Sequence, residues 1–598
     1  MTPRIEQFPH GNYHQFVVRG RPFFPLAAEL NNSSLSSSEY MAGVWSRLKD
    51  QGFNTLLGSV TWEQIEPTEG VLDFTELDRV VEDAKRHDMH LVLLWFGSFK
   101  NGTPAWLSER LALEICHLIL IPFMLSIGQS TYIPPWVKID DKRFPRVRIN
   151  KDDSLQVREV LSIFAQTSID ADAKAFTALL SHLKEIDPPG GDETVIAVQV
   201  ENEVGLLGDS RDRGELAEKA FKGAVPLELV KKLDEQWDLL NDEIKSNLAH
   251  FRTTLSTTTG PQRDDLSWGQ LFGESPQTDE IFMAYHYALY LDQVASSGRS
   301  GSKNKIPLYT NAWLRNTSGA PGSNTTVSDG ISPGEYPSGG PIETALDIWQ
   351  MFAPNLDFLA PDIYMPDYPS TCAAYKHRQQ PLFIPEQRGD TFGAIRMWEA
   401  IGSYGALACS PFGIDTLPDG MNGMKRHLQL LQKVAPIILE ARKEDRPMTG
   451  FFFDELPPVT QNGTKAKDPS PERKVTFGKW TLTISRAHVF GNPAAGYGLI
   501  IQLSPDRFLL IGEGFQISFA HTDPKATYSG ILSFVEKDIE HDGKTELRTV
   551  RMLNGDETRS GTVAVMPSES PEYGMVPVAI LIPAVTRIAE VQAYALGL

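Results

Sequence analysis

VIAVQVENEVG, Val195 to Gly205, is the stretch on which the reading of this chain turns. Its first six residues suit a fully buried strand, with Gln199 the one polar member, and they run straight into Glu201, Asn202 and Glu203. Burying a carboxylate costs several kcal/mol unless it is paired or hydrogen-bonded. A buried strand that ends in two of them therefore marks a site. In an ideal strand Glu201 and Glu203 share one face and Asn202 takes the other. The expectation is that Glu201 stays in the strand, held by hydrogen bonds, while the chain bends at Asn202.

Working outward, seven further apolar runs resemble this one. They are FFPLAAEL (23–30), FNTLLGSVTW (53–62), HLVLLWFGSF (90–99), IPLYTNAW (306–313), LDFLAPDIY (356–364), PLFIPE (381–386) and ALACSPFGID (406–415). Helical patterns lie between them, as in SEYMAGVWSRLKDQG (38–52), where Met41, Val44, Trp45 and Leu48 share a face and Gly52 ends the helix. Eight strand–helix alternations with near-continuous apolar strands predict an α/β fold, a (β/α)8 TIM barrel over residues 1–445. A doubly wound sheet is the other architecture to weigh, but no G-x-G-x-x-G follows any strand.

After the helical run at 424–445 the texture changes. KWTLTISRAHVF (479–490), GYGLIIQL (496–503), RFLLIGEGFQISFA (507–520) and VPVAILIPA (576–584) alternate or run apolar between turn residues. These predict an all-β, sandwich-like C-terminal domain over 446–598.

Composition narrows the function. The 598 residues are 41% hydrophobic and 22% charged, as in globular proteins. A formal charge of −20 argues against a nucleic-acid partner, which needs a basic face. Three scattered cysteines, Cys116, Cys372 and Cys409, exclude a disulfide framework and a CxxC metal site. The 13 histidines form no H-E-x-x-H, so neither metal nor cofactor is expected. Residues 1–20 lack the apolar core of a signal peptide, and a cytoplasmic setting without membrane attachment is the expectation. Oligomeric state is left open.

In a (β/α)8 barrel the reactive groups sit at the C-terminal strand ends. The fourth strand ends at Glu203 and the seventh at Glu386, so both point into one cleft. Two facing carboxylates with aromatic walls are the minimal equipment for hydrolysing a glycosidic bond. One stays protonated to donate to the leaving oxygen, and the other stays ionised to attack the anomeric carbon. Trp62, Trp95, Trp313 and Tyr364 fall at or near strand ends, where flat rings could pack on a sugar's C–H face. The Gly/Ser/Pro-rich loop at 316–341 follows the fifth strand and would border the cleft. Its G-x-S-x-G around Ser332 lacks the strand and helix of a nucleophile elbow.

These residues resemble a known group. VQVENEVG is similar to the Gln-x-Glu-Asn-Glu-x-Gly signature of family 35 glycoside hydrolases, β-galactosidases of the retaining (β/α)8 clan. TWEQIEPTEGVLDF (61–74) is similar to the W-x-x-x-E-P-x-x-G-x-x-D-F stretch after their second strand. LLWFGSFKN, PPWVK, PFGID and EYPSGGP resemble the branch with an additional C-terminal β domain. The resemblance implies a retaining exo-glycosidase that removes terminal β-D-galactosyl residues from oligosaccharides or glycosides. It implies Glu203 as acid/base, Glu386 as nucleophile, Asn202 on the sugar 2-hydroxyl and Tyr364 as a hydrogen-bond donor to Glu386. Glu29, Trp62 and Trp313 are sugar contacts by position. A different sugar (β-glucoside, β-mannoside, α-arabinoside) and a non-catalytic carbohydrate-binding relative are the alternatives.

Two departures stand out. Val204 replaces a tyrosine common in relatives. In addition, FGSFKN (96–101) and QSTYIPPWVK (129–138) are nearly adjacent in relatives, but here residues 102–128 intervene. That segment contains LALEICHLILIPFMLSIG (111–128), which is marginal in length for a membrane span and carries Glu114, His117 and Pro122. It reads either as a buried loop helix or as a translated intervening sequence, and a transcript encoding it in full would overturn the second reading.

Overall fold

Apolar runs with period-two or continuous burial become strands here, and the order of those strands builds the site. A computed structural model describes the chain except residues 1, 9–12, 101–129, 258–264, 317–329, 365–366, 418–422, 458–466, 489–492, 494, 542–544, 569–580, 582 and 598. Six strands form one parallel sheet in the order Ala27–Glu29, Thr55–Thr61, His90–Lys100, Val195–Asn202, Leu308–Trp313 and Phe358–Asp362. The seventh and eighth, Ile384–Gln387 and Cys409–Pro411, pair with each other. Ile363 N–H donates to Glu386 O at 2.9 Å, and Ile414 N–H donates to Glu29 O at 3.2 Å. These two bonds join strand six to seven and the end of strand eight to strand one, closing a TIM-type barrel.

Side chains from alternate strand positions fill the barrel: Ala27, Leu57, Val92, Leu94, Ile196, Tyr309, Phe358, Phe383 and Leu407 belong to one buried cluster. Phe16 and Val18 join it from a small antiparallel sheet (Arg4–Gln7, His14–Val18, Arg21–Phe23) that the sequence reading did not anticipate. Outside the ring, the helices Gln166–Ile186 and Pro276–Ser302 pack together. The helix expected over 38–52 is split into Ser38–Ala42 and Trp45–Asp50 at Gly43, although Met41, Trp45 and Leu48 are buried as expected.

After the helix Lys425–Lys443, Met448–Phe453 opens a second region. Two sheets, of six and four strands, face each other across Phe451, Trp480, Leu482, Phe508, Ile517 and Phe534. This is a β-sandwich, with the long 507–520 run divided into Arg507–Glu513 and Phe515–His521. The 576–584 run lies largely outside the described residues. Lys433 on the helix reaches Asp538 on the sandwich at 2.7 Å. Among the described residues no helix is long and apolar enough to cross a membrane.

Residues 102–128 also lie outside the described residues, but their flanks are clear. Ser130 Oγ donates to Ser98 O at 2.8 Å and accepts from Leu161 N–H at 3.0 Å. The chain therefore returns to where it left. Deleting 102–128 should leave the fold intact and raise stability by about 2 kcal/mol, because a shorter loop is cheaper to close. A thermal melt of the deletion variant checks this, and a soluble-expression failure would count against it.

Candidate active site

The third strand explains the two carboxylates of the quoted stretch. It pairs with the fourth in register from Val92–Ala197 to Trp95–Val200, then bulges, and pairing resumes at Lys100–Asn202. A bulge leaves ladder N–H groups without partners. Glu201 supplies them: Ser98 N–H donates to its Oε1 at 3.1 Å and Phe99 N–H to its Oε2 at 2.7 Å. Asp172 lies alongside, accepting from Trp95 Nε1 at 2.9 Å and from Ser98 N–H at 3.2 Å. Burial and then the neighbouring Asp172 hold Glu201 well above the usual carboxyl range. Gly97 is required here, since a Cβ would lie 2.4 Å from Trp95 Nε1 and 2.6 Å from Glu201 Oε1.

The backbone turns on both sides of Asn202 rather than at it. Glu201 and Glu203 have φ of 59° and 47°, a left-handed conformation unusual for such residues. The turn parts the two carboxyls that an ideal strand would hold together. Glu201 faces the bulge, and Glu203 faces the barrel mouth beside Lys100, whose Nζ is 3.9 Å from Glu203 Oε2. Asn311 on strand five fixes the turn: its Oδ1 accepts from Glu203 N–H at 2.8 Å. Asn311 Nδ2 donates to Asn202 Oδ1 at 3.2 Å and to Asp362 Oδ2 at 2.7 Å. Gln199 Nε2 donates to the same Asn202 oxygen at 2.9 Å.

Opposite stands Glu386, 6% exposed, with Tyr364 O–H donating to its Oε2 at 2.7 Å. One oxygen each of Glu203, Asp362 and Glu386 lies within 4.8 Å of the others. Burial, and then the charge of Glu386, push Glu203 up to about 8 against the pull of Lys100. Burial and Glu386 likewise raise Glu29, whose Oε2 is buried without a hydrogen-bond partner. Lys100 loses solvation too, yet Glu203, Glu386 and Glu29 together hold its ammonium above its ordinary value. Three carboxyl donors this close could ligate a metal ion. The adjacent ammonium already supplies a cation, so the set fits charge separation between two carboxyls better than metal binding.

Thus Glu29, Asn202, Glu203, Tyr364 and Glu386 converge at the barrel mouth. Trp313 sits at the end of strand five opposite Asp362, with its indole N–H buried and unpartnered. Trp62 does not join them. It is fully buried, its Nε1 donates to Glu66 Oε2 at 3.0 Å, and its ring meets Trp136 edge-on. Its place near a strand end suggested a cleft wall, but a helical turn right after strand two carries it into the core. Ser332 lies in a loop, its N–H bonded to Glu335 Oε2. Part of the 316–341 loop is outside the described residues; its later part is stapled to the loop after strand four by paired Leu206 and Ser338 backbone bonds of 2.9 Å.

Residues 36–115 match the family model described as β-galactosidase, glycoside hydrolase family 42. Residues 424–564 match a domain of unknown function, DUF5597. The matched model is family 42 rather than the expected family 35, so the coarser likeness, to β-galactosidase-type glycoside hydrolases, is what stands. The first match runs to residue 115, into the 102–128 stretch, and the deletion variant separates a family element from an insertion there. No curated protein matches. Among solved structures, the β-galactosidase from Bacillus circulans sp. alkalophilus is 15% identical with a TM-score of 0.42, over 70% of this chain and 57% of that one. That from the psychrophilic Marinomonas ef1 is 14% identical with a TM-score of 0.42, over 70% and 61%. The catalytic domain of a β-amylase from Paenibacillus polymyxa is 11% identical with a TM-score of 0.44, over 69% and 98%. The chain therefore spans less than two thirds of the β-galactosidase structures it matches, and no residue's role follows from them.

Three residues at the mouth escaped the sequence reading: Lys100, Asn311 and Asp362. Each stands inside a quoted run, in FGSFKN, YTNAW and PDIY. Polar residues at the end of an otherwise apolar strand were the available signal.

Proposed function

We propose that the chain is a retaining exo-glycosidase acting on terminal β-D-galactosyl groups, with Glu386 as nucleophile and Glu203 as acid/base. The supporting observation is the pair of buried carboxyls whose nearest oxygens lie within 4.8 Å. Retaining enzymes hold the two groups ~5–5.5 Å apart, whereas inverting ones leave ~6.5–9.5 Å for a water. Glu386 attacks the anomeric carbon while Glu203 gives its proton to the leaving oxygen. Esterification then removes the Glu386 charge that helped raise Glu203. Glu203 falls toward its ordinary range and becomes the base that activates water. Asn202, held by Gln199 and Asn311, offers its amide to the sugar 2-hydroxyl. Galactose as the sugar rests on the family match and on the sequence resemblance; a screen of nitrophenyl glycosides with product stereochemistry by NMR tests sugar and mechanism together. Release of the α-anomer first would refute retention.

The pH dependence follows from Glu203. As the free enzyme's acid it must carry its proton, so kcat/KM should fall as pH rises through about 8. A kcat/KM profile from pH 4 to 10 reads this directly, and a basic limb near 5 would exclude Glu203 as acid.

A further inference from the structure

Four carboxyls, Glu29, Glu203, Asp362 and Glu386, share the barrel mouth with one ammonium, Lys100, among the described residues. They cannot all be ionised in a buried site. Glu386 must be ionised to attack, so protons reside on the others. Asp362 has no part in the two-carboxylate scheme, yet it is 3% exposed and within reach of both reacting carboxyls.

Its hydrogen bonds say where its proton sits. Asn311 spends its oxygen on Glu203 N–H, so the side facing Asp362 is the N–H₂, and Asp362 Oδ2 is the acceptor at 2.7 Å. The proton is left to Oδ1, which is buried and has no hydrogen-bond partner, in a carboxyl with one oxygen within 4.8 Å of a Glu203 oxygen. We propose that Asp362 is a protonated positioning residue whose O–H, aimed by Asn311, donates to the carboxyl of Glu203 and steadies the negative charge that Glu203 acquires as it releases its proton. This rests on the reading of Glu203 as acid/base.

The proton balance is simple. The Glu203 proton goes to the leaving oxygen, and Asp362 keeps its own while bonded to the new carboxylate. Glu203 is reprotonated by the water that cleaves the glycosyl ester. A bond from a neutral donor strengthens as its acceptor becomes charged, so it favours the transition state over the ground state. Burial, then the charges of Glu386, Glu203 and Glu29, hold Asp362 well above the usual range. The titratable groups facing it are Glu29 from strand one, Lys100 from strand three, Glu203 from strand four, Tyr309 from strand five, Tyr364 beyond strand six, Tyr375 and Glu386.

The test compares Asp362→Ala and Asp362→Asn on aryl glycosides of graded leaving-group acidity, using the sugar the wild type cleaves. Asp362→Ala should lower kcat/KM about 10- to 100-fold for poor leaving groups and much less for 2,4-dinitrophenyl, which needs no acid. Its basic limb should move to higher pH, because a donor that stabilised the Glu203 anion is gone. Asp362→Asn, which can still donate from its amide, should recover most of the loss. Equal losses across leaving groups, or a limb moving to lower pH, would overturn the proposal, since the latter means an ionised Asp362. An Asn variant as impaired as Ala would overturn it as well. If the Ala variant does not fold, the Asn variant's limb and leaving-group slope decide alone. A wild type inactive on every glycoside would instead refute the glycosidase reading itself.

Discussion

Glu386→Gln is expected to abolish turnover while leaving the fold untouched. The substitution keeps the shape, and Tyr364 can still donate to the remaining oxygen, but the amide cannot form the glycosyl ester. Loss of the nucleophile in such a scheme lowers kcat by roughly 10⁴-fold or more. The thermal midpoint should be unchanged or higher, because one charge leaves a crowded group of carboxyls. A second variant separates chemistry from shape. In Glu386→Ala with an activated aryl glycoside, azide can enter the vacated space and attack the anomeric carbon once, giving an α-glycosyl azide. Full activity in Glu386→Gln, or a β-azide from Glu386→Ala, would remove Glu386 from the nucleophile's role.

The strands were legible because burial on both faces leaves a continuous apolar run, and all eight runs carry barrel strands. Glu203 and Glu386 stood out because each ends such a run with a charge. What stayed hidden depends on partners in space. Asn311 looks like a polar residue within YTNAW until strands four and six place Glu203 and Asp362 on either side of it. Lys100 reaches Glu203 only through the bulge in strand three, which no local pattern announces. Trp62 runs the other way: its position at a strand end suggests exposure to the cleft, but the turn that follows rotates it inward. The C-terminal sandwich was readable from alternation alone, whereas the N-terminal sheet was hidden by its short strands.

Glu201→Ala should be the most damaging substitution for folding in the quoted stretch. It strips Phe99 N–H of its acceptor and leaves Ser98 N–H only the 3.2 Å bond to Asp172; a buried donor left unpaired costs ~1–3 kcal/mol, so a loss of about 1–3 kcal/mol is expected. Glu201→Gln keeps one acceptor and offers an amide to Asp172, so its loss should be smaller. The pH dependence isolates the ionisation. Folded Glu201 is held above its unfolded value of roughly 4.3. Between that value and its folded one, the native state keeps a proton that the unfolded chain has released. Its contribution is therefore complete below about pH 4 and declines as pH rises. Gln lacks this ionisation, so the stability gap between wild type and Glu201→Gln should be widest near pH 4 and should narrow toward pH 8. Denaturation midpoints of the two proteins across that range measure it. A gap that widens with pH would mean that Glu201 is an ionised carboxylate in the fold, and the bulge would then need a cation that none of its described neighbours supplies.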